Sequence, residues 1–123
     1  MEKATFRIED AFFEQVKKNL KPAKELKEQI TVKQLNLLHL ALGISGEAGE
    51  IADAIKKHVM YGKELDYVNV LEELGDLFFY MAGLMQELNL PFRDVLDHNI
   101  AKLSLRYPEG YTDAAAINRA DKQ

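Results

Sequence analysis

Apolar residues recur at helical spacing along nearly the whole chain. Ile8, Ala11, Phe12, Val16 and Leu20 follow an i, i+3, i+4 series with polar residues between them, which predicts a first amphipathic helix. From Lys21 to Gln29, with Pro22 near its start and Lys21, Lys24 and Lys27 along it, the chain reads as a polar connection that includes at most a short helical turn. Thr31 predicts an N-cap, with Gln34 completing a capping box. Leu37, Leu40, Ile44, Ala48, Ile51, Ile55 and Val59 then form the apolar stripe of a long second helix. Gly43, Ser45 and Gly46 interrupt good helix formers in its middle and predict a kink or a break there.

Gly62 closes that helix, and Asp66 caps a third whose stripe is Val70, Leu71, Leu74, Phe78, Met81, Met85 and Leu88. Asn89 to Pro91 ends it, and Pro91 opens a fourth helix carrying Phe92, Val95, Leu96, Ile100, Leu103 and Leu105. Pro108 and Gly110 stop the fourth helix, and a polar surface tail is expected over 112–123. No strand pattern of useful length remains. Long amphipathic helices on short connections predict an all-α fold, an antiparallel four-helix-bundle-like domain occupying 1–123 as one unit.

Composition narrows the chemistry. Twenty acidic against sixteen basic residues give a formal net charge of −4, which disfavours a nucleic acid polymer as partner. The absence of cysteine removes disulfides, thiolate metal sites and cysteine nucleophiles together. No signal peptide or membrane span is visible, so a cytoplasmic protein with no membrane partner is expected.

The acids are arranged, not scattered. Glu47-Ala48-Gly49-Glu50 and Glu73-Leu74-Gly75-Asp76 each place carboxylates at i and i+3, which are neighbours on a helix surface. At 100° per residue, Glu47 and Glu50 fall about 60° and 120° to one side of Ile44, and Glu73 and Asp76 about 100° and 160° to one side of Leu74. Each pair thus lies off the expected core stripe, where a cleft between helices could hold it beside water. Glycine precedes the second acid in both pairs, although each helical glycine costs about 1 kcal/mol relative to alanine. Gly49 and Gly75 are therefore expected to let two helices approach closely and bring four carboxylates to one magnesium site. Hard oxygen ligands beside an open cleft suit that ion. A single acid pair of this kind is usually a solvated face; two with matching glycines make that reading much weaker. A ferritin-like di-iron site needs Glu-x-x-His, and His39, His58 and His98 follow Asn36, Ile55 and Val95 instead.

On the fourth helix Asn99, Lys102 and Arg106 share one face, a short basic strip suited to phosphate oxygens and a sugar or base edge. Lys56 and Lys57 offer further phosphate contacts beyond Glu50. His39, two turns before Glu47, is a candidate base contact or a packed histidine. Phe78, Phe79 and Tyr80 are candidates for packing, Tyr80 also for substrate contact.

GISGEAGEIADAIKK from Gly43 to Lys57, LEELGD from Leu71 to Asp76 and NIAKLSLRYPEG from Asn99 to Gly110 together resemble the MazG-like nucleoside triphosphate pyrophosphohydrolases of the all-α NTP pyrophosphatase superfamily. The resemblance covers about residues 35–111. It implies Glu47, Glu50, Glu73 and Asp76 as magnesium ligands, with manganese able to substitute, and Asn99, Lys102 and Arg106 near the nucleotide. It also implies hydrolysis of NTPs or dNTPs between the α and β phosphates by a homodimer or homotetramer. Glu47 or Glu50 is then the expected base, with Glu72 a weaker outer candidate. Many members carry a further acid just before the first pair, where this chain has Gly46, so the number of ions is left open. The competing readings are a non-catalytic helical nucleotide- or protein-binding module that kept the bundle, and a phosphoribosyl-ATP enzyme.

Overall fold

The computed structural model describes residues 7–123, so the first six residues of the expected domain lie outside it. The described chain is helical: α1 (Asp10–Lys18), α2 (Ala23–Gln29), α3 (Val32–Met60), α4 (Tyr67–Glu87), α5 (Phe92–Arg106), α6 (Asp113–Asn118) and a 3-10 turn at Ala120–Lys122. No strand occurs among the described residues. Two compact units divide the chain, one ending at Leu35 and one running from Asn36 to Gln123.

In the first unit, α1 carries the expected amphipathic pattern and is held by local pairs, Arg7 with Asp10 at 2.8 Å and Lys17 with Glu14 at 3.1 Å. It buries none of its residues. The polar connection after it is more helical than the sequence suggests, because Pro22 sits at the N-cap of α2, where its fixed φ and missing N–H cost nothing. The capping box at the head of α3 forms as expected: the Gln34 N–H donates to Thr31 Oγ1 at 3.1 Å, and the Thr31 N–H donates to Gln34 Oε1 at 2.9 Å.

The second unit is built on α3 and α4. Helix α3 runs unbroken past Gly43, Ser45 and Gly46, so the expected break does not occur. Its physical counterweight is packing: a Cβ at Gly43 would fall on the Tyr80 ring of α4, and one at Gly83 would come within 2.8 Å of Leu40 Cδ2. These two glycines, and not Gly49 and Gly75, mark the close approach of the helices. A Cβ at Gly49 or Gly75 would meet nothing within 4 Å, which corrects the role expected for them. Gly43→Ala is accordingly expected to destabilise the protein by about 1–3 kcal/mol through overpacking. Gly49→Ala and Gly75→Ala should each stabilise it by about 0.5–1 kcal/mol, because alanine simply removes backbone entropy at an open position. Urea midpoints of the three variants check this, and equal effects at Gly43 and Gly49 would contradict the assigned packing.

Gly62, at φ 64°, ends α3, and Asp66 caps α4 by accepting from the Asn69 N–H at 3.1 Å. Asn89, at φ 53°, turns the chain after α4, and Pro91 is the N-cap of α5. Beyond Pro108 the chain does not trail off as a surface tail. Thr112 Oγ1 accepts from the Ala115 N–H at 3.0 Å to start α6, and Arg119 at φ 50° redirects the chain into the 3-10 turn. That turn is tied to α5 by Arg106 and Asp121, whose side chains are 16% and 2% exposed.

Among the described residues, Leu40 and Ala54 are the buried apolar ones. Much of the stripe read as core is instead exposed: Leu71 at 68%, Phe78 at 58% and Val59 at 68%. Along the seam between α3 and α4, the α4 residues Tyr80 and Gly83 stand outside the apolar stripe, whereas on α3 Leu40 belongs to both stripe and seam. On α3 the seam passes through Leu40 and Gly43, on the flank of the stripe that carries Ile44.

Candidate metal centre

An antiparallel register positions the acids. Asn36 Nδ2 donates to Glu87 Oε2 at 3.2 Å, Leu40 lies against Gly83 and Gly43 against Tyr80. Continuing along the seam, where α3 advances α4 retreats, and one further turn brings Glu47 and Glu50 level with Asp76 and Glu73. One carboxylate oxygen from each of Glu47, Glu73 and Asp76 lies within 4.8 Å of the others. Glu50 flanks the trio, its carboxylate against those of Glu73 and Glu47. All four acids singled out from spacing therefore meet, three as a cluster and the fourth at its edge. Glu72 is exposed and takes no part in the cluster.

The cluster is electrostatically loaded. Contact with the Glu73 carboxylate and its like charge raises the pKa of Glu50 above the ordinary glutamate value, with desolvation adding to the effect. The Glu73 pKa is raised in turn, chiefly by the Glu47 carboxylate. Glu47 and Glu73 are half-buried, and Oε2 of each is sealed from solvent with no hydrogen-bond partner. Buried acceptors without donors are rare in folded proteins, and a carboxylate oxygen left so is costly. A divalent cation satisfies such oxygens directly. The donor set, all hard oxygen with no nitrogen or sulfur, fits magnesium or manganese.

Around the cluster the expected substrate residues fare differently. The His39 ring meets the edge of Tyr80 at 6.1 Å between centroids and 76° between planes, with Tyr80 one turn from Asp76 and His39 about two turns from Glu47. Tyr80 also meets Phe79 at 5.5 Å. At the other end of the acids, Lys57 Nζ lies 2.7 Å from Asp53 Oδ2, and Lys56 3.4 Å from Asp53 Oδ1. Lys57 holds the Asp53 pKa below the usual aspartate range and is itself raised by that carboxylate. Both line a cavity of about 260 Å³ with Lys63, Glu64, Asp66 and Asn69. Lys63 and Asn69 were not singled out from the sequence, because the connection that brings them beside Lys57 leaves no periodic signal. Asn99 is exposed on α5. Arg106 makes a fork-on contact with Asp121, Nε to Oδ1 at 2.8 Å and Nη2 to Oδ2 at 3.1 Å, so two of its donors are already engaged. Lys102 faces a separate cavity with His98 and Lys122. Among the described residues no hydrogen bond or ion pair joins the α5 strip to the acid cluster.

Over residues 35–111 the chain matches the model of the MazG nucleotide pyrophosphohydrolase domain, and this span contains both acid pairs and α5. The chain belongs to the MazG family. Members of this family act generally as nucleotide pyrophosphohydrolases and are typically dependent on a divalent metal, which agrees with the donor set just described. The MazG chain is also 33% identical over 90 residues to the "Gene 37 protein" of Mycobacterium phage L5, a match covering 68% of this chain and 76% of that protein. No solved structure matches it. No helix among the described residues is long and apolar enough to cross a membrane.

Proposed function

We propose that the protein is a magnesium-dependent pyrophosphohydrolase that cleaves a nucleoside or deoxynucleoside triphosphate between its α and β phosphates, giving the monophosphate and pyrophosphate. The observation carrying this reading is the convergence of Glu47, Glu73 and Asp76 within 4.8 Å, with two of their oxygens buried and unpartnered. These three residues would hold the ion, and Glu50 would complete its surroundings. When bound, magnesium or manganese offsets the charge of carboxylates and triphosphate together and lowers the pKa of a nearby water.

The chain's own residues account for the rest. Glu50, exposed at the margin of the trio, is the better placed of the two candidate bases: Glu47 has one oxygen sealed inside the seam, whereas Glu50 faces solvent. Glu50 takes the proton of a water as its oxygen bonds to the α phosphorus. The bond from that phosphorus to the bridging oxygen breaks, and the oxygen leaves with the pyrophosphate. Lys57 and the side chains of His39 and Tyr80 lie to either side of the acids, which suits them to phosphate and nucleoside ends respectively. Incubation with a panel of NTPs, dNTPs and phosphoribosyl-ATP in magnesium tests the reading. Equimolar monophosphate and pyrophosphate support it; orthophosphate with a diphosphate would contradict the bond assignment, and no turnover of any member would favour the non-catalytic module.

We also infer that the protein works as a homodimer or homotetramer. Leu71, Phe78 and Phe79 expose 58–71% of their surface on α4, and Ile44, Met81, Leu84, Met85 and Leu88 line an apolar cavity of about 350 Å³. Apolar surface on this scale marks an interface. Native mass spectrometry is expected to give two or four times 14.0 kDa, and a monomer at micromolar concentration would refute assembly.

A further inference from the structure

Residues 112–123 lie beyond the span that matches the family, yet they bring one acidic side chain into the interior. Thr112 caps α6, and Arg119 redirects the chain at φ 50°, a conformation that a non-glycine residue rarely adopts. Gln123 Nε2 then secures the chain end by donating to the Asn118 carbonyl oxygen at 2.8 Å. Asp121 thereby reaches α5, where its carboxylate, 2% exposed, accepts from Arg106 Nε at 2.8 Å and from Arg106 Nη2 at 3.1 Å. A buried ion pair gains little net stability, because desolvation offsets most of the attraction, so stability alone is weak grounds for this arrangement.

The fork leaves the arginine usable. A planar guanidinium offers N–H donors along more than one edge. Asp121 engages the edge formed by Nε and Nη2, and Nη1 stays outside the fork. The exposure retained by the pair is mostly the arginine's, 16% against 2%, so the acid lies on the buried side of the guanidinium and does not cover it. The Tyr107 ring, its centroid 5.9 Å from the guanidinium carbon, restricts the group further. A long side chain held this way has less rotamer freedom left to lose when an anion binds. We infer that Asp121 is a positioning residue for the proposed reaction, fixing the Arg106 guanidinium so that its Nη1 edge meets a phosphate of the bound triphosphate. The inference rests on the proposed pyrophosphohydrolase, with Arg106 as one of its phosphate contacts; what is new is the acid that aims it, which touches neither substrate nor metal. Because the charge of Asp121 is offset within the pair, it does not repel the phosphate as a free carboxylate would.

Calorimetric titration of inorganic tripolyphosphate into the full chain in magnesium, alongside steady-state kinetics, tests the role. Asp121→Asn keeps the size of the side chain but loses the charge that holds the fork. It is expected to weaken tripolyphosphate binding and to raise KM for the triphosphate, each about tenfold or more, with kcat unchanged. Asp121→Glu, which can rebuild the fork, should stay close to the parent in both. A clasp that served only the fold would lower Tm in Asp121→Asn without moving binding or KM. Unchanged binding in a folded Asp121→Asn overturns the inference, as does tighter binding, the result expected if the acid competed with phosphate for the arginine. So does a parent chain that binds no tripolyphosphate. If circular dichroism shows that Asp121→Asn does not fold, the Arg106 Nε–H resonance of the parent decides. It should remain slow to exchange as tripolyphosphate saturates the protein, and its release on binding would show that the fork opens. Binding needs no turnover, so absence of hydrolysis leaves the calorimetric result standing. Turnover together with binding untouched by Asp121→Asn removes the positioning role alone.

Discussion

Glu50→Gln is expected to lower kcat for triphosphate hydrolysis by about 10²–10⁴-fold, the usual contribution of a positioned general base. The substitution keeps the size and hydrogen-bonding shape of the side chain but removes its ability to accept a proton from water. Because Glu50 stands beside the Glu47, Glu73 and Asp76 trio and is not one of its closest members, KM should change little. Asp76→Asn is expected to behave differently, with activity recovering in part as magnesium is raised, since under the proposed function it loses a ligand and not the base. Initial rates over a magnesium titration distinguish the two. Full activity in Glu50→Gln would remove it from the reaction, and rescue of that variant by excess magnesium would make it a ligand instead.

The second large effect concerns stability without metal. Hydrogen-bonding contact between neighbouring carboxyl groups, Glu50 with Glu73 and Glu73 with Glu47, raises the pKa values of both Glu50 and Glu73 in the folded protein, with like charge and desolvation adding to it. Between the ordinary glutamate value and the raised one, the folded state binds more protons than the unfolded state, so stability falls as pH rises across that window. Below the ordinary value both states are protonated and the cluster imposes no penalty. Asp53 and Asp121 act with the opposite sign: Lys57 and Arg106 depress their pKa values, and the stability they contribute is lost as pH falls from the ordinary aspartate value through the depressed one. In EDTA, therefore, Tm should be highest near the ordinary carboxylate range and decline on both sides. Magnesium should remove the decline on the alkaline side, as should Glu50→Gln with Glu73→Gln, while neither restores the acidic side. Melting curves across pH, with and without magnesium, check this; no alkaline decline in the metal-free protein would show that the clustered carboxyl groups do not hold protons above the ordinary range.

Helix boundaries and the acid pairs were legible in the sequence for local reasons. Thr31 and Gln34, Asp66, and Gly62 each act within a few residues of themselves, and the structure uses all of them as caps or stops. Acids three apart share a helix face whatever the fold around them. One inference from a helix to its neighbour failed. The glycines beside the acids were read as the contact points, yet Gly49 and Gly75 face open space, while Gly43 and Gly83 receive Tyr80 and Leu40. A glycine's cost is visible in sequence, but which surface it clears for is set by the rotation of two helices about their common seam.

The same distinction holds for the charged residues. The helical periods determined an all-α chain and placed Glu47 beside Glu50, and Glu73 beside Asp76. Only tertiary structure decided that Glu47 and Glu73 would each bury an oxygen without a donor, because that depends on the register of α3 against α4. It likewise decided that Arg106, alike in sequence to a free phosphate ligand, would be taken by Asp121, and that Lys102 and Lys122 would line one cavity. Periodicity is a property of each helix taken alone; pairing between residues far apart in the chain depends on where the turns send them, which no single stretch of sequence encodes.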